Sequence, residues 1–458
     1  MLIKFCLKQM LLAGALICVG NTAVSAMSLK DAVRRATIEH PAIGAAISNQ
    51  KAIGYEVLQA QGRFLPTVDL SAEIGGQVIH KPGSPPPANR TLLPRRQVGL
   101  NVGQFLYDGG DRVNDVYARA ARFDAATLRV IQAGEFRALQ AIEAYIDMRR
   151  HTIVLQLAEQ NVQRHRSILS TVRSVVEGGR APRSDIAQAE QRLASARAAA
   201  SQIERLLADT RAKFKEAVGI YPGTISRVGL PAGLPNTVAK AIAIAERHNP
   251  QLLAAKIDIE ALEFNVEQSK SAYAPHIGLN ANGTYGEDID GVRGDNRDFT
   301  GKVTLSWNLY NGNIKDNRVK ELQQRVSQAE YTYAAQARQV SEAVERAYNG
   351  FTLGRERANI LDQEVQANQR VVSAYIEEYK LSKRSLLDLL DSESALFNSR
   401  FQWTNAYSLY VFSAYQTLAT TGRLLPYFDL SKPAVDTVGV RIQAQEQGVF
   451  NITMDPLQ

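Results

Sequence analysis

The stretch QVGLNVGQFLYDGGDR at residues 97–112 changes its period partway through. Up to Leu106 it alternates: Val98, Leu100, Val102 and Leu106 are apolar, with Gln97, Asn101, Gly99 and Gly103 between them. This is the two-residue period of a strand with two unlike faces. Past Gly109 and Gly110 the breakers almost vanish, with no proline and only Gly134 from Asp111 to Val176. A strand therefore turns directly into a very long helix. The same change recurs at KVTLSWNLYNGNIK, residues 302–315, ahead of a second stretch from Asn313 to Leu381 with no proline and only Gly350 and Gly354.

The recurrence extends along the chain. Residues Ala32 to Leu70 align with Ala241 to Leu279 at an offset of 209, pairing Ala36 with Ala245, Pro41 with Pro250, Val57 with Val266 and Pro66 with Pro275. Beyond that the offset is 203, pairing Leu106 and Tyr107 with Leu309 and Tyr310, Gly109 with Gly312, Tyr145 with Tyr348, Asp185 with Asp388, Glu190 with Glu393 and Arg197 with Arg400. A loop six residues shorter in the second copy accounts for the change. A unit of roughly 200 residues is too long for a solenoid repeat, so the chain reads as two halves with matching roles.

In the second long helix, Leu322, Val326, Ala329, Tyr333, Ala337, Val340, Val344, Ala347 and Phe351 follow in steps of three and four. The stripe resumes at Leu361, Val365, Val372, Tyr375 and Tyr379. Such a seam buries itself against other helices in coiled-coil fashion. About 65 residues at 1.5 Å each extend roughly 100 Å, well beyond an ordinary domain. Breaks at Gly178 to Pro182 and at Ser382 to Arg384 lead into further helices, Ser184 to Val218 and Ser385 to Thr421, giving two antiparallel hairpins. Each half opens with a helix, Leu29 to Gly62 and Thr237 to Ala272, kinked or split at Pro41 and Pro250.

Four segments alternate as strands do: 67–78, 97–106, 276–285 and 302–309. Each has the length a tilted strand needs to cross a bilayer. A half-buried sheet of a soluble protein would alternate in the same way. Aromatic residues favour the membrane: Phe64, Phe105, Tyr107, Trp307 and Tyr310 sit at strand–helix junctions, where an interfacial girdle would lie. The loops 80–93 and 286–297 are long and polar, and the first holds Pro82, Pro85, Pro86 and Pro87. Four strands cannot close a barrel and an open edge cannot face lipid, so copies of the chain must share one.

Residues 1–26 read as an export signal, with Lys4 and Lys8, an apolar run from Leu11 to Val19, and small residues at Val24-Ser25-Ala26. The only cysteines, Cys6 and Cys18, would leave with it. The mature chain then has no thiol for disulfides, zinc or nucleophilic chemistry. It would keep 51 basic side chains against 46 acidic ones, too mild an excess for a nucleic-acid partner. The six histidines show no metal-ligand spacing, and no phosphate-binding glycine loop is present. The sequence thus predicts no enzyme, no cofactor and no metal site.

The duplicated order, the pair FLYDGG at 105–110 and WNLYNG at 307–312, and the stretch RSLLDLLD at 384–391 together resemble the TolC family of outer-membrane factors. The resemblance covers about Leu29 to Leu425. It implies a mainly α fold with transmembrane β: a homotrimer whose 12-stranded β-barrel, four strands per protomer, continues as a 12-helix periplasmic α-barrel of long coiled-coil-like hairpins. It implies an export channel in the outer membrane of a Gram-negative bacterium, in contact with outer-membrane lipid. A periplasmic adaptor would couple it to an inner-membrane transporter, an RND pump or an ABC exporter. The cargo, drugs or secreted protein, stays open. The division it implies is 1–26 signal, 27–63 first helix, 64–110 first β-hairpin and 111–219 first tunnel hairpin. A linker at 220–236 follows, then 237–272, 273–312 and 313–422 for the second copy, and a tail at 423–458.

The resemblance also implies a gate. Tyr379 and Arg384 would bond Asp185 on the neighbouring hairpin, and Asp388 and Asp391 would form an acidic ring at the entrance. Leu381-Ser382 replaces the family's valine–glycine before the tip, and Lys383 adds a charge. Residue chemistry alone offers a second reading, since Ser385 with Asp388, and Ser184 with Asp185, also suit helix N-termini. The rival for the whole chain is a periplasmic structural or adaptor protein whose hairpins enclose no pore.

Overall fold

A computed structural model describes residues 27–79, 92–291, 293–430 and 439–454. The leader at 1–26 and the prolines at 82–87 lie outside the described residues. The first half runs α1 (Leu29–Ile38), α2 (Pro41–Gly62), β1 (Thr67–Val78), β2 (Leu92–Tyr107), α3 (Asp111–Glu177) and α4 (Ser184–Val218). The second runs α5 (Val238–His248), α6 (Pro250–Lys270), β3 (His276–Glu287), β4 (Asp295–Ser306), α7 (Ile314–Lys380) and α8 (Leu386–Thr420). Two short helices, α9 (Leu424–Tyr427) and α10 (Val440–Glu446), belong to the tail.

The halves are built alike down to their caps. Ser28 caps α1 through Asp31 N–H, and Thr237, its match, caps α5 through Lys240 N–H. The prolines end one helix and start another, because each takes the first helical position where no N–H is needed. The residue before each proline caps the new helix: His40 accepts from Ala42 N–H, and Asn249 from Gln251 and Leu252 N–H. Tyr145 Oη donates to Met27 O at 2.7 Å, and its match Tyr348 donates to Asn236 O at 2.8 Å. Met27 and Asn236 are themselves 209 apart, so one pin fastens the start of each half.

The strands form one antiparallel sheet in the order β1-β2-β3-β4, so the two halves join edge to edge through β2 and β3. The fourth strand corrects the sequence reading. It runs Asp295–Ser306 rather than 302–309, and Trp307 lies just beyond it. Its first three residues, Asp295 to Arg297, are polar and read as loop, yet they pair with Tyr285 to Glu287 across the sheet. Only residues 288–294 then separate β3 from β4, against 79–91 between β1 and β2, which is the six-residue difference between the two offsets.

Register sorts the side chains into rows. Leu70, Leu100, Gly283 and Phe299 form one row, and Val68, Val102, Ala281 and Gly301 the next. The opposite face carries Asp69, Asn101, Asn282 and Thr300. Among the described residues no α-helix packs against either face, while the one-turn helix at Ile289–Gly291 touches β1 and β2. The apolar row is bare: Leu70 is 75% exposed, Ile74 83% and Phe299 83%. A sheet folded for water would bury these residues.

Where strand becomes helix the chain turns through left-handed residues. Gly109 and Gly110 are matched by Gly312 and Asn313, all at positive φ. A Cβ at Gly109 would also meet Ser271 O at 2.9 Å, so only glycine fits. Arg112, buried, bonds Asp108 and the carbonyls of Arg63 and Phe105. Its guanidinium lies 4.8 Å from the Phe64 ring centre. At the matching junction Lys315 bonds Asn308 O and lies 5.9 Å from the Tyr273 ring.

The long helices α3 and α7 have 67 residues each, about 100 Å, and α4 and α8 have 35 each. The stripe on α7 is turned inward, with Val340, Val344, Ala347, Leu361, Val372 and Tyr379 buried. The α3 helix is more enclosed, being packed by α2, α4, α6, α8 and the tail. Two carboxylates on one side of α3 hold that tail. Glu135 accepts from the N–H groups of Leu424 (3.2 Å) and Leu425 (3.0 Å), and Asp124 from those of Val440 (2.9 Å) and Arg441 (3.2 Å). Burial raises both carboxyls, Glu135 to about 8, outweighing the N–H bonds that favour its ionised form.

A raised carboxyl pKa means that the docked tail binds a proton the free tail releases. Tail docking should therefore weaken as pH rises from about 4.5 to about 8. Hydrogen exchange at the Leu424 and Leu425 amides should quicken over that window, and Glu135→Gln should flatten the dependence. Exchange that is pH-independent after correction for intrinsic chemistry would refute the assignment.

Candidate functional site

Both hairpin tips use one turn. Ser174 and Glu377 carbonyls close their last helical turns, then Gly179 N–H bonds Val176 O at 2.9 Å and Ser382 N–H bonds Tyr379 O at 2.9 Å. Arg180 and Lys383, again matched, reach back to Val175 O and Glu378 O at 3.0 and 2.9 Å. This is a helix stop that needs a left-handed residue. Gly179 supplies it at φ 72°, whereas Ser382 adopts φ 55° with a side chain, at a cost of roughly 1 kcal/mol.

At the second tip Arg384 is already partnered. Arg384 bonds Glu378 through Nε at 2.9 Å and Nη2 at 2.8 Å, lies 3.8 Å from Asp388 and sits 4.2 Å above the Tyr375 ring. Inside one protomer it therefore does not reach Asp185. Tyr379 is buried among Ile168, Leu169, Val172, Leu386, Leu389 and Leu390, and its hydroxyl has no partner. Burial raises its phenol pKa, and the Asp185 carboxylate raises it further, so Asp185 lies within electrostatic reach without a bond. Ser385 caps α8 by accepting from Asp388 N–H at 3.1 Å, as the capping reading requires. Asp388 and Asp391 follow on the first turns of α8, and Asp391 is bound across the hairpins by Arg192 Nη2 at 2.8 Å.

Glu378, Tyr375 and Arg192 were not legible as site residues. A contact across a turn follows neither period, and Arg192 comes from another hairpin. The structure adds an ion pair with one buried partner. Glu393, whose side chain is 2% exposed, faces Arg164 Nη1 at 3.4 Å, tying α8 to α3. Burial raises the Glu393 pKa and Arg164 opposes the rise. The duplication gave a signal here, since Glu393 matches Glu190. Glu190 itself is exposed and bonds Arg173 at 2.7 Å.

At the other end, Phe64 packs edge-on against Phe450 at 5.6 Å and shares the Arg112 guanidinium with Phe105. Tyr107 and Tyr310 are exposed, and Trp307 Nε1 donates to Tyr273 O at 3.0 Å. A second aromatic level, absent from the sequence reading, lies toward the loops: Phe299, and Tyr285 with Arg297 at 5.5 Å. Phe299 falls in the early part of β4, ahead of the alternating segment 302–309, where pairing with β3 makes the strand. No helix is long and apolar enough to cross a membrane, and no group of residues could hold a metal, among the described residues.

Comparison with known proteins adds three findings. The model of a family described as outer membrane efflux protein matches residues 32–220 and 241–420. Outer membrane efflux protein BepC of Brucella suis biovar 1 (strain 1330) is 23% identical over 328 residues, 71% of this chain and 72% of BepC. Outer membrane protein TolC of Escherichia coli (strain K12) is 24% identical over 202 residues, 42% of this chain and 41% of that one. Among solved structures, the outer membrane protein VceC of Vibrio cholerae superposes with a TM-score of 0.75 at 16% identity, covering 86% of this chain and 96% of VceC.

The Arg164–Glu393 pair sets a stability test. Arg164→Ala strands the Glu393 carboxylate, at a cost of about 2 kcal/mol. Since its pKa is raised, the ionised form bears that cost, and the loss should be larger at pH 8 than at pH 5. Thermal unfolding that shifts equally at both pH values would rule this out.

Proposed function

The chain belongs to the outer membrane efflux protein family, and on that premise we propose that three copies close a single conduit from periplasm to exterior. The observation that carries the reading is the sheet: four strands with two unpaired edges and an apolar face that nothing covers among the described residues. Three copies give twelve strands, within the range of closed outer-membrane barrels. The apolar row of Leu70, Leu100 and Phe299 then faces hydrocarbon, and the row of Asp69, Asn101, Asn282 and Thr300 faces a water-filled lumen. Phe64, Phe105, Tyr107, Trp307 and Tyr310 mark the interface nearer the helices, and Tyr285 and Phe299 approach the other. The rival reading, hairpins without a pore, leaves this face in water.

Below the barrel, the long hairpins of three chains form the tunnel wall and the tips its periplasmic mouth. The conduit performs no chemistry. An inner-membrane transporter, RND pump or ABC exporter, supplies the energy through a periplasmic adaptor, and the cargo we assign is small molecules.

We further propose that the tips gate the mouth. Tyr379 and Arg384 close it against Asp185, and Asp388 and Asp391 from three chains set six carboxylates around the opening. Such a ring favours cations over anions. Glu378 is then a competitor: it holds Arg384 on its own helix and withholds it from Asp185. The left-handed Ser382 fixes the tip in place while these charges exchange partners.

Planar-bilayer recording separates these roles. Arg384→Ala should raise single-channel conductance several-fold, and Glu378→Gln should lower it by freeing Arg384 for the closing pair. Asp388→Asn with Asp391→Asn should reduce cation selectivity without a comparable change in conductance. Equal conductance in wild type and Arg384→Ala would remove the latch. A stable, detergent-free monomer of the mature chain would remove the conduit itself.

A further inference from the structure

A cavity of about 320 Å³ opens where the linker between the halves crosses α3 and α8. Its walls are Ile146, Arg149 and Ile153 of α3, Trp403, Thr404, Tyr407, Ser408 and Val411 of α8, and Arg227 with Val228 of the linker. The volume falls at the lower end of the range for small-molecule sites. Trp403 and Tyr407 stack at 5.5 Å and 22°, leaving a flat aromatic wall. Neither the Arg149 nor the Arg227 side chain makes a hydrogen bond or ion pair among the described residues, and the electrostatic contact of Arg149 is with the Tyr145 phenol. Thr404 and Ser408 donate to their own helix and add no charge. The lining thus combines an apolar, aromatic surface with two arginines and no acid.

The roof is fixed before any ligand arrives. Residues on both sides of Arg227-Val228 are tied down: Ser226 N–H bonds Tyr145 Oη at 2.9 Å, and Tyr415 Oη donates to Gly229 O at 2.9 Å. Preorganisation of this kind lowers the ordering cost of binding.

The duplication provides an internal control. At the 203 offset, the counterparts of Trp403, Tyr407 and Arg149 are Ala200, Glu204 and Thr352. The matching positions of the other half thus carry neither the aromatic pair nor the cation of α3, so these residues belong to one half alone.

We propose that this cavity is a binding site for small aromatic organic anions, with the ring on Trp403 and Tyr407 and the acid group between Arg149 and Arg227. A guanidinium binds a carboxylate in a planar, two-point fashion, and an aromatic ring gains by offset stacking on indole. The site is separate from the tunnel mouth and holds its ligand on the tunnel wall rather than passing it.

The chain has two tryptophans, Trp307 and Trp403, so Trp307→Phe leaves Trp403 as the only reporter. The purified full-length assembly in detergent is titrated with 4-iodobenzoate, a heavy-atom quencher, and in parallel with neutral 4-iodobenzyl alcohol. The acid should quench Trp403 saturably, with the alcohol at least tenfold weaker. Arg149→Gln and Arg227→Gln should each weaken the acid by at least tenfold and leave the alcohol unchanged. Calorimetry on the protein with both tryptophans intact serves if the Trp307 variant fails to assemble. Linear, unsaturable quenching, equal affinity for acid and alcohol, or no effect of either arginine substitution would each overturn the proposal.

Discussion

In hydrocarbon a backbone N–H or C=O has no partner outside the protein, and this constraint governs the whole chain. The sheet holds four strands and leaves β1 and β4 each with a free edge. Water would satisfy those edges, but it would not tolerate the exposed row of Leu70, Ile74 and Phe299 beside them. Lipid would accept the row and reject the edges. The two demands are met together only when the edges pair with other copies, so fold, assembly and location follow from one sheet. The long helices depend on it in turn, since α3 and α7 start directly from β2 and β4 through the turns at Gly109-Gly110 and Gly312-Asn313.

Duplication shows which features the architecture needs and which one half acquired alone. Caps, left-handed turns and cationic staples recur in both copies with altered residues, Ser28 and Thr237, Gly179 and Ser382, Arg112 and Lys315, while the tyrosine pins Tyr145 and Tyr348 are kept. These are requirements of shape, met by whatever side chain suffices. Other features have no counterpart. Glu135 anchors the tail, while its match is Arg338. Glu393 is buried against Arg164, while Glu190 lies in the open.

Much of this was legible because it is periodic. The stripe on α7, the alternation of β1 to β3 and the breaks at Pro41 and Pro250 are local patterns. What escaped is what tertiary pairing decides. Asp295 to Arg297 carry no strand signal and become strand because β3 lies alongside. The partner of Arg384 is set by a turn that brings Glu378 under it. The tail showed no period because its helices are short and held by carboxylates of α3 rather than by a seam of their own. At the candidate mouth, the positions of Tyr379, Asp388 and Asp391 came from the resemblance, and only the geometry revealed Glu378 and Arg192.

The two hairpin tips share a backbone turn but not a surface. One presents Arg180, Ala181, Pro182 and Arg183, the other Leu381, Ser382, Lys383 and Arg384. Three chains in a ring would carry six tips, spaced with approximate sixfold rotation yet chemically alternating. A sixfold collar approaching that ring would meet two kinds of footing in turn. Its own subunits, even if identical, would have to settle into two non-equivalent poses.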